Sequence, residues 1–443
     1  MSAVAAGGQA TTPIPLATRL VGSWWAPIMI GAIALAICWL RLPAEARATL
    51  WAEDGRIFVS EREQLGPFAT LYRPYAGYLQ LVPRIITNLI VGIVPVGSWA
   101  LAFTALSCAT AAAVCAITYC CARSVTSRTA TSVALALIPV LVPIGPIEVS
   151  GNAANLHSYF LWLTPWLLFA RPRRATTAVF LGVVALAGAL TEIQSLVFIP
   201  LVVWRWRDRR GWPVRVGLIL GLACQVVATL LSPRQPGRAT TYHAWSTIEG
   251  FVANAMMGSV TAQPHAVAAA MTTGVALLAI VILLFGTAIA TALVSGCAES
   301  RVIVAACVAA SVIIWSVAYL ANPYPGFDFA AYNSQSWATF GFMRYGVVPA
   351  MFLLATIPLA ADVLTARTAR FVGAIAAGVV AIVVVMQWNP AATQRSEGPL
   401  WSHGVIDVST SCSQAKSPPF VQVPTAPAGW FADVRCSAIS AGR

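Results

Sequence analysis

Long apolar stretches alternate with short polar breaks along the 443-residue chain. With about 20 apolar residues needed per crossing, the pattern predicts eleven crossings. They lie near 24–41, 97–121, 130–146, 156–170, 175–191, 193–204, 213–231, 266–296, 302–321, 346–361 and 371–388. The 175–204 stretch is interrupted by Thr191-Glu192-Ile193-Gln194, so its arms read as a short helical pair, the second too short to cross alone. The expected fold is an all-α polytopic membrane protein. A membrane domain over 24–388 lies between an N-terminal segment, 1–23, and a polar C-terminal tail, 389–443.

Composition agrees with this class. The chain is 58% hydrophobic and 9% charged, far below the roughly 25% charged residues of soluble domains. The net charge of +12 does not point to nucleic acid, because the arginines are scattered between apolar runs and form no basic stripe interleaved with aromatics.

Charge placement sets the orientation. Threading the spans alternately from an inside N-terminus puts fourteen basic and three acidic residues on the inner side, Arg123, Arg171, Arg205 and Arg301 among them. The other thirteen basic and twelve acidic residues fall outside. The inner loops are short, where the positive-inside rule is strongest. The N-terminus is therefore expected in the cytoplasm and the C-terminus outside it. Residues 1–10 lack the basic region of a cleavable signal peptide.

Eight of the ten cysteines lie in or beside apolar spans, where a thiol is a small buried hydrophobe. Cys412 and Cys436 instead bracket a Pro-rich run in the tail, and an oxidising compartment favours a disulfide between them. No Cys/His spacing resembles a zinc site, and no Gly-rich phosphate loop is present.

The long polar connections, 42–96, 147–156, 232–265, 322–345 and the tail, then collect on the outer face, and candidate chemistry collects with them. Trp51-Ala52-Glu53-Asp54-Gly55-Arg56-Ile57-Phe58 sets two carboxylates beside the first membrane exit, a costly placement that marks a functional site. Arg73-Pro74-Tyr75-Ala76-Gly77-Tyr78 leads through Pro83-Arg84 into a segment suited to the membrane interface. Asn152, Asn155 and His157 stand at the head of a span, where capping is the simpler role. Phe342-Met343-Arg344-Tyr345 closes the last large outer loop. Arg344 there either snorkels to headgroups or grips an anionic phosphate with its planar fork. Arg84 and Glu192 are weaker candidates of that sort.

An apolar first helix, an acidic pair opening a long outer loop, an interfacial stretch, ten or more crossings and an outer tail together resemble the GT-C class of integral-membrane glycosyltransferases. The Trp51–Phe58 run followed by Pro74–Pro83 is similar to a bacterial, largely uncharacterised multipass group within that class. The resemblance implies a polyprenyl-phosphate sugar as donor and a hydroxyl of a cell-envelope glycan or glycolipid as acceptor. It implies that Asp54 or Glu53 is the catalytic base and Arg344 the donor-phosphate ligand, with Arg84 in the same role. A divalent metal is compatible with the acidic pair, but no second acidic motif accompanies it, and the acidic order here is Glu-Asp where many relatives have Asp-Glu.

In such a site an acceptor hydroxyl attacks the anomeric carbon, a carboxylate takes its proton, and arginine stabilises the departing phosphate. A single inverting displacement needs one base, unlike the two-carboxylate glycosidases. Arg73, Tyr75, Tyr78, Asn152, Asn155, His157 and Tyr345 are the expected substrate contacts. The competing reading is a lipid or glycolipid flippase, which the broken helix near Thr191 favours. The absence of a repeat in two halves and the gathering of polar residues in outer loops oppose it. A non-catalytic envelope scaffold would leave the acidic pair unexplained.

Overall fold

The computed structural model describes residues 25–234, 243–322, 325–364 and 393–441, with isolated positions between 368 and 388. The expected N-terminal segment, 1–23, and most of the 371–388 crossing lie outside the described residues.

Nearly every apolar stretch within that range is helical. The principal helices are α1 (Ala26–Leu40), α2 (Leu81–Ile93), α3 (Trp99–Ala122), α4 (Thr129–Leu141), α5 (Leu156–Phe169), α6 (Ala175–Ala189), α7 (Trp212–Leu231), α8 (Val275–Ser295), α9 (Ala298–Ala321), α10 (Val347–Val363) and α11 (Trp401–Cys412). Among the described residues, five helical segments are long and apolar enough to cross a membrane: Val96–Ala122, Arg209–Leu231, Val275–Ser295, Ala298–Ala321 and Arg344–Val363. The protein is therefore a multi-pass membrane protein by length and composition. The other apolar helices, α1, α2, α4, α6 and the 3₁₀ segment Ile193–Val203, are shorter. The apolar stretch 266–296 divides at Gly274 into Pro264–Thr272 and α8.

Helix α5 is the centre of the bundle: every side chain but His157 is buried. Its Trp162 packs on Trp166 and on Phe352 of α10, with ring centroids 5.4 and 5.2 Å apart. On one flank α1 lies on α3, and on another α6 lies on α7. The α6–α7 approach depends on small residues. A Cβ at Gly217 would lie 2.1 Å from the Gly182 carbonyl oxygen, and one at Gly221 would lie 2.5 Å from the Ala189 Cβ. Gly217 and Gly221 thus form a GxxxG seam, which lets membrane helices meet backbone to backbone.

The two ends of the bundle differ. The arginine-bearing connections meet at one end: the Ser127 and Arg128 amides donate to Asp362 at 2.8 and 2.9 Å. There too Arg171 and Arg205 both pair with Glu299. The segments 42–96, 145–155 and 325–346 meet at the other.

The tail corrects the all-α expectation. Phe420–Thr425 (β1) and Trp430–Arg435 (β2) form a two-stranded antiparallel sheet, pairing Val421 with Val434 and Val423 with Ala432. Both strands alternate buried and more exposed positions, as a sheet with one covered face requires. Cys412 and Cys436 are bonded to each other and tie α11 to the end of β2. Trp401 of α11 stacks on Trp99, with centroids 5.9 Å apart, and donates to the Val96 carbonyl. The tail is thus packed into the polar end of the bundle.

Candidate functional site

The acidic run after α1 is fixed from two directions. Asp54 opens a π-helical turn, Asp54–Val59, and accepts the Ala153 amide at 3.0 Å and the Ala154 amide at 2.7 Å. The next residue must be glycine: a Cβ on Gly55 would meet the Thr425 methyl at 2.6 Å and Ala432 at 3.2 Å, so the tail sheet lies directly on this turn. Ser60 Oγ accepts the Asp433 amide, Glu63 accepts the Arg435 amide, and the Ala426 amide donates to the Leu50 carbonyl.

The two neighbouring carboxylates consequently have different surroundings. Asp54 is 1% exposed, with both oxygens engaged by backbone. Burial pushes its carboxyl up to about 7 against the pull of those amides and of Arg395. It lines neither of the cavities described below. Glu53 borders both of them. Its Oε1 accepts from Arg344 Nη1 at 2.9 Å, while its Oε2 is buried and unpartnered.

Arg344 joins Glu53 to a second acid. The same Nη1 lies 3.2 Å from Glu148 Oε1, and the guanidinium sits 5.5 Å over the Tyr345 ring. Burial raises the Glu148 carboxyl, and Arg344 opposes the shift. Glu148 ends the short helix Gly145–Glu148. It gave no sign in the sequence, because nothing local distinguishes it from a loop acid. Arg344, Tyr345 and Glu53 form a partition. On one side is a cavity of about 300 Å³ lined by Tyr75, Tyr78, Asn155, His157, Glu192 and Arg234. On the other is a cavity of about 570 Å³ lined by Trp51, Glu148, Phe327, Phe342, Gln394 and Trp430.

The first cavity gathers most of the expected substrate contacts. Tyr75 and Tyr78 pair across a tight turn, amide to carbonyl at 2.9 and 3.2 Å, with positive φ at Ala76 and Gly77. Gln225 of α7 pins the turn by binding both the amide and the carbonyl of Leu79, and Thr229 donates to the Gly77 carbonyl. A Cβ on Gly77 would come within 2.9 Å of the Arg234 amide nitrogen, so the turn closes directly on Arg234. Burial pushes the Tyr75 hydroxyl up to about 12 and raises Tyr78 as well, keeping both neutral donors. His157 Nδ1 lies 2.5 Å from Glu192 Oε2, and Glu192 Oε1 caps the following 3₁₀ segment through the Gln194 amide.

Three expected contacts lie elsewhere. Arg84 is buried against Phe58 and pairs with Glu61 at 2.7 Å; the more exposed Arg73 pairs with the same carboxylate at 2.8 Å. Both brace the first loop from behind and line neither cavity. Asn152 holds the 148–155 turn together, donating to the Glu148 carbonyl and accepting the Asn155 amide. Arg395 was not anticipated: fully buried, it donates to the Ser150 and Gly151 carbonyls. Gly151, at φ +75°, cannot carry a Cβ there without meeting Leu42 at 2.4 Å.

Among the described residues no group of three or more His, Cys, Asp or Glu side chains could hold a metal ion. No known family model matches the chain, and no curated protein or solved structure is significantly similar to it.

Proposed function

We propose that the protein is an extracytoplasmic-face glycosyltransferase of the bacterial plasma membrane. It moves a sugar from a polyprenyl-phosphate donor to a hydroxyl of a cell-envelope glycan or glycolipid. The shorter apolar helices complete the crossings, with the N-terminus in the cytoplasm and the tail outside. The observation carrying this reading is the Glu53–Arg344–Glu148 bridge between two cavities. A carboxylate and a phosphate-matched guanidinium stand where two substrates can meet.

In the resting site Arg344 occupies one Glu53 oxygen. The donor phosphate competes for the guanidinium, whose fork suits phosphate bidentately. Glu148 retains its hold on the arginine and Glu53 is released. The acceptor oxygen then bonds to the anomeric carbon as the carbon–oxygen bond to the phosphate breaks. The electron pair leaves on the polyprenyl phosphate, and the acceptor proton passes to Glu53. Tyr75, Tyr78, Asn155 and His157 orient the sugar as neutral or polar hydrogen-bonding groups. Asp54, with both oxygens committed to amides, shapes the turn instead of accepting the proton.

The lipid-linked sugar that accumulates in cells lacking the protein identifies the donor. With that donor, Glu53→Gln should lower transfer by about 100- to 10,000-fold. It should bind polyprenyl phosphate at least as tightly as the wild type, because the competing carboxylate is gone. Normal transfer by a well-folded Glu53→Gln protein would refute the assignment. Accumulation of an unmodified lipid-linked sugar on the cytoplasmic face alone would instead indicate a flippase.

A further inference from the structure

We infer that a crevice at the arginine-rich end binds the headgroup and upper acyl region of an anionic phospholipid from the adjoining leaflet. The crevice, about 490 Å³, opens where the end of α3 faces the start of α6, with Pro27 of α1 closing one side. It marks a seam, since α1 packs with α3 and α6 with α7 while α5 lies behind.

Its lining is of two kinds. Arg123, Arg171 and Arg173 line the polar part, and Ile117, Phe180 and Leu181 line the apolar part. Arg171 is already held by Glu299, which it shares with Arg205. Arg123 and Arg173 have no acidic partner among the described residues and stand exposed, leaving positive charge for an incoming anion. The first turn of the 15-residue α6 borders the crevice at Thr177, and its free amides add to the attraction for a phosphate.

The apolar wall decides the occupant. Phe180 is 54% exposed beside these arginines. A free phosphate would satisfy the cations but leave that wall uncovered, whereas a phospholipid covers both. A zwitterionic headgroup brings its own ammonium into a site that already carries excess positive charge, so an anionic headgroup is favoured. This inference is independent of the glycosyltransferase reading.

The test uses the purified full chain in neutral detergent with phosphatidylglycerol, phosphatidylcholine or inorganic phosphate added. Bound lipid is counted by native mass spectrometry and thermal unfolding is followed in parallel. Phosphatidylglycerol should be retained and raise the unfolding midpoint. The Arg123→Gln/Arg173→Gln double variant should weaken retention on the order of tenfold or more. Arg209→Gln/Arg210→Gln, which alters exposed arginines outside the crevice, should leave it unchanged. Should the crevice double variant fail to fold, Thr177→Asp at the exposed rim supplies a like charge and must reduce retention instead. Equal retention of phosphatidylcholine, full replacement by inorganic phosphate, or equal weakening by the Arg209/Arg210 pair would each overturn the site.

Discussion

Both ends of the helical bundle pair arginines with carboxylates, but the pairs differ in what surrounds them. At the arginine-rich end Glu299 is shared by Arg171 and Arg205, whose side chains are 41% and 39% exposed. Solvent screens such pairs to a small net contribution. At the opposite end Arg344 is 28% exposed, and the Glu53 and Glu148 side chains that share it are 8% and 16% exposed, against 18% for Glu299. There are two acids for one cation there and two cations for one acid at the other end. The exposed arrangement leaves spare positive charge at a membrane surface. The buried one leaves one Glu53 oxygen without a hydrogen-bond partner.

The largest effect should come from breaking the buried bridge. Arg344→Lys keeps the charge but loses the fork, so transfer should fall by at least about 100-fold, with polyprenyl-phosphate binding weakened in parallel. Near-normal turnover in a stable variant would reduce Arg344 to a headgroup anchor. Next in size is the staple of the tail. Cys412→Ser or Cys436→Ser should cost about 3 kcal/mol of tail stability, seen as early proteolysis after residue 393 with membrane insertion intact. Labelling of both thiols in unreduced native membranes would contradict the bond.

A smaller effect separates the two neighbouring carboxylates. Asp54→Asn turns an amide donor toward the Ala153 and Ala154 N–H groups and should cost about 1–3 kcal/mol, whereas Glu53→Gln should leave unfolding nearly unchanged. Because Asp54 has a folded value raised to about 7 from 3.8, its contribution is fully present below about pH 4 and is lost as pH rises through about 7. Asp54→Asn should remove that slope from the stability profile, and an unaltered slope would assign it to another group. The smallest effect belongs to the exposed end, where Arg171→Gln should change stability by less than about 1 kcal/mol and less still at high salt.

Much of the frame was legible because apolar runs are a local property: α3, α7, α9 and α10 fall where the chain predicts them. Glu53, Tyr75, Tyr78, His157 and Arg344 could be found by asking which polar residues fall in or beside the long polar connections. Which of Glu53 and Asp54 faces the cavity could not be read, because the Ala153 and Ala154 amides that claim Asp54 lie about a hundred residues away. Glu148, Arg234 and Gln225 were invisible for the same reason. The tail sheet was missed because its strands are short, polar on one face and flanked by prolines, a pattern that resembles a loop until Val423, Ala432 and Val434 are seen buried together. Arg84 misled in the opposite direction: its partner Glu61 sits within the same loop, and a charge near a membrane exit served as a brace.

The packing of the tail sheet on Gly55 has a consequence for synthesis. Trp51, Ala52 and Glu53 line the larger cavity together with Gln394, Pro427 and Trp430, so parts of one lining leave the ribosome more than three hundred residues apart. Until the last fifty residues have folded and closed their bond, that lining lacks Gln394, Pro427 and Trp430. A growing chain therefore cannot complete this cavity before its tail has folded.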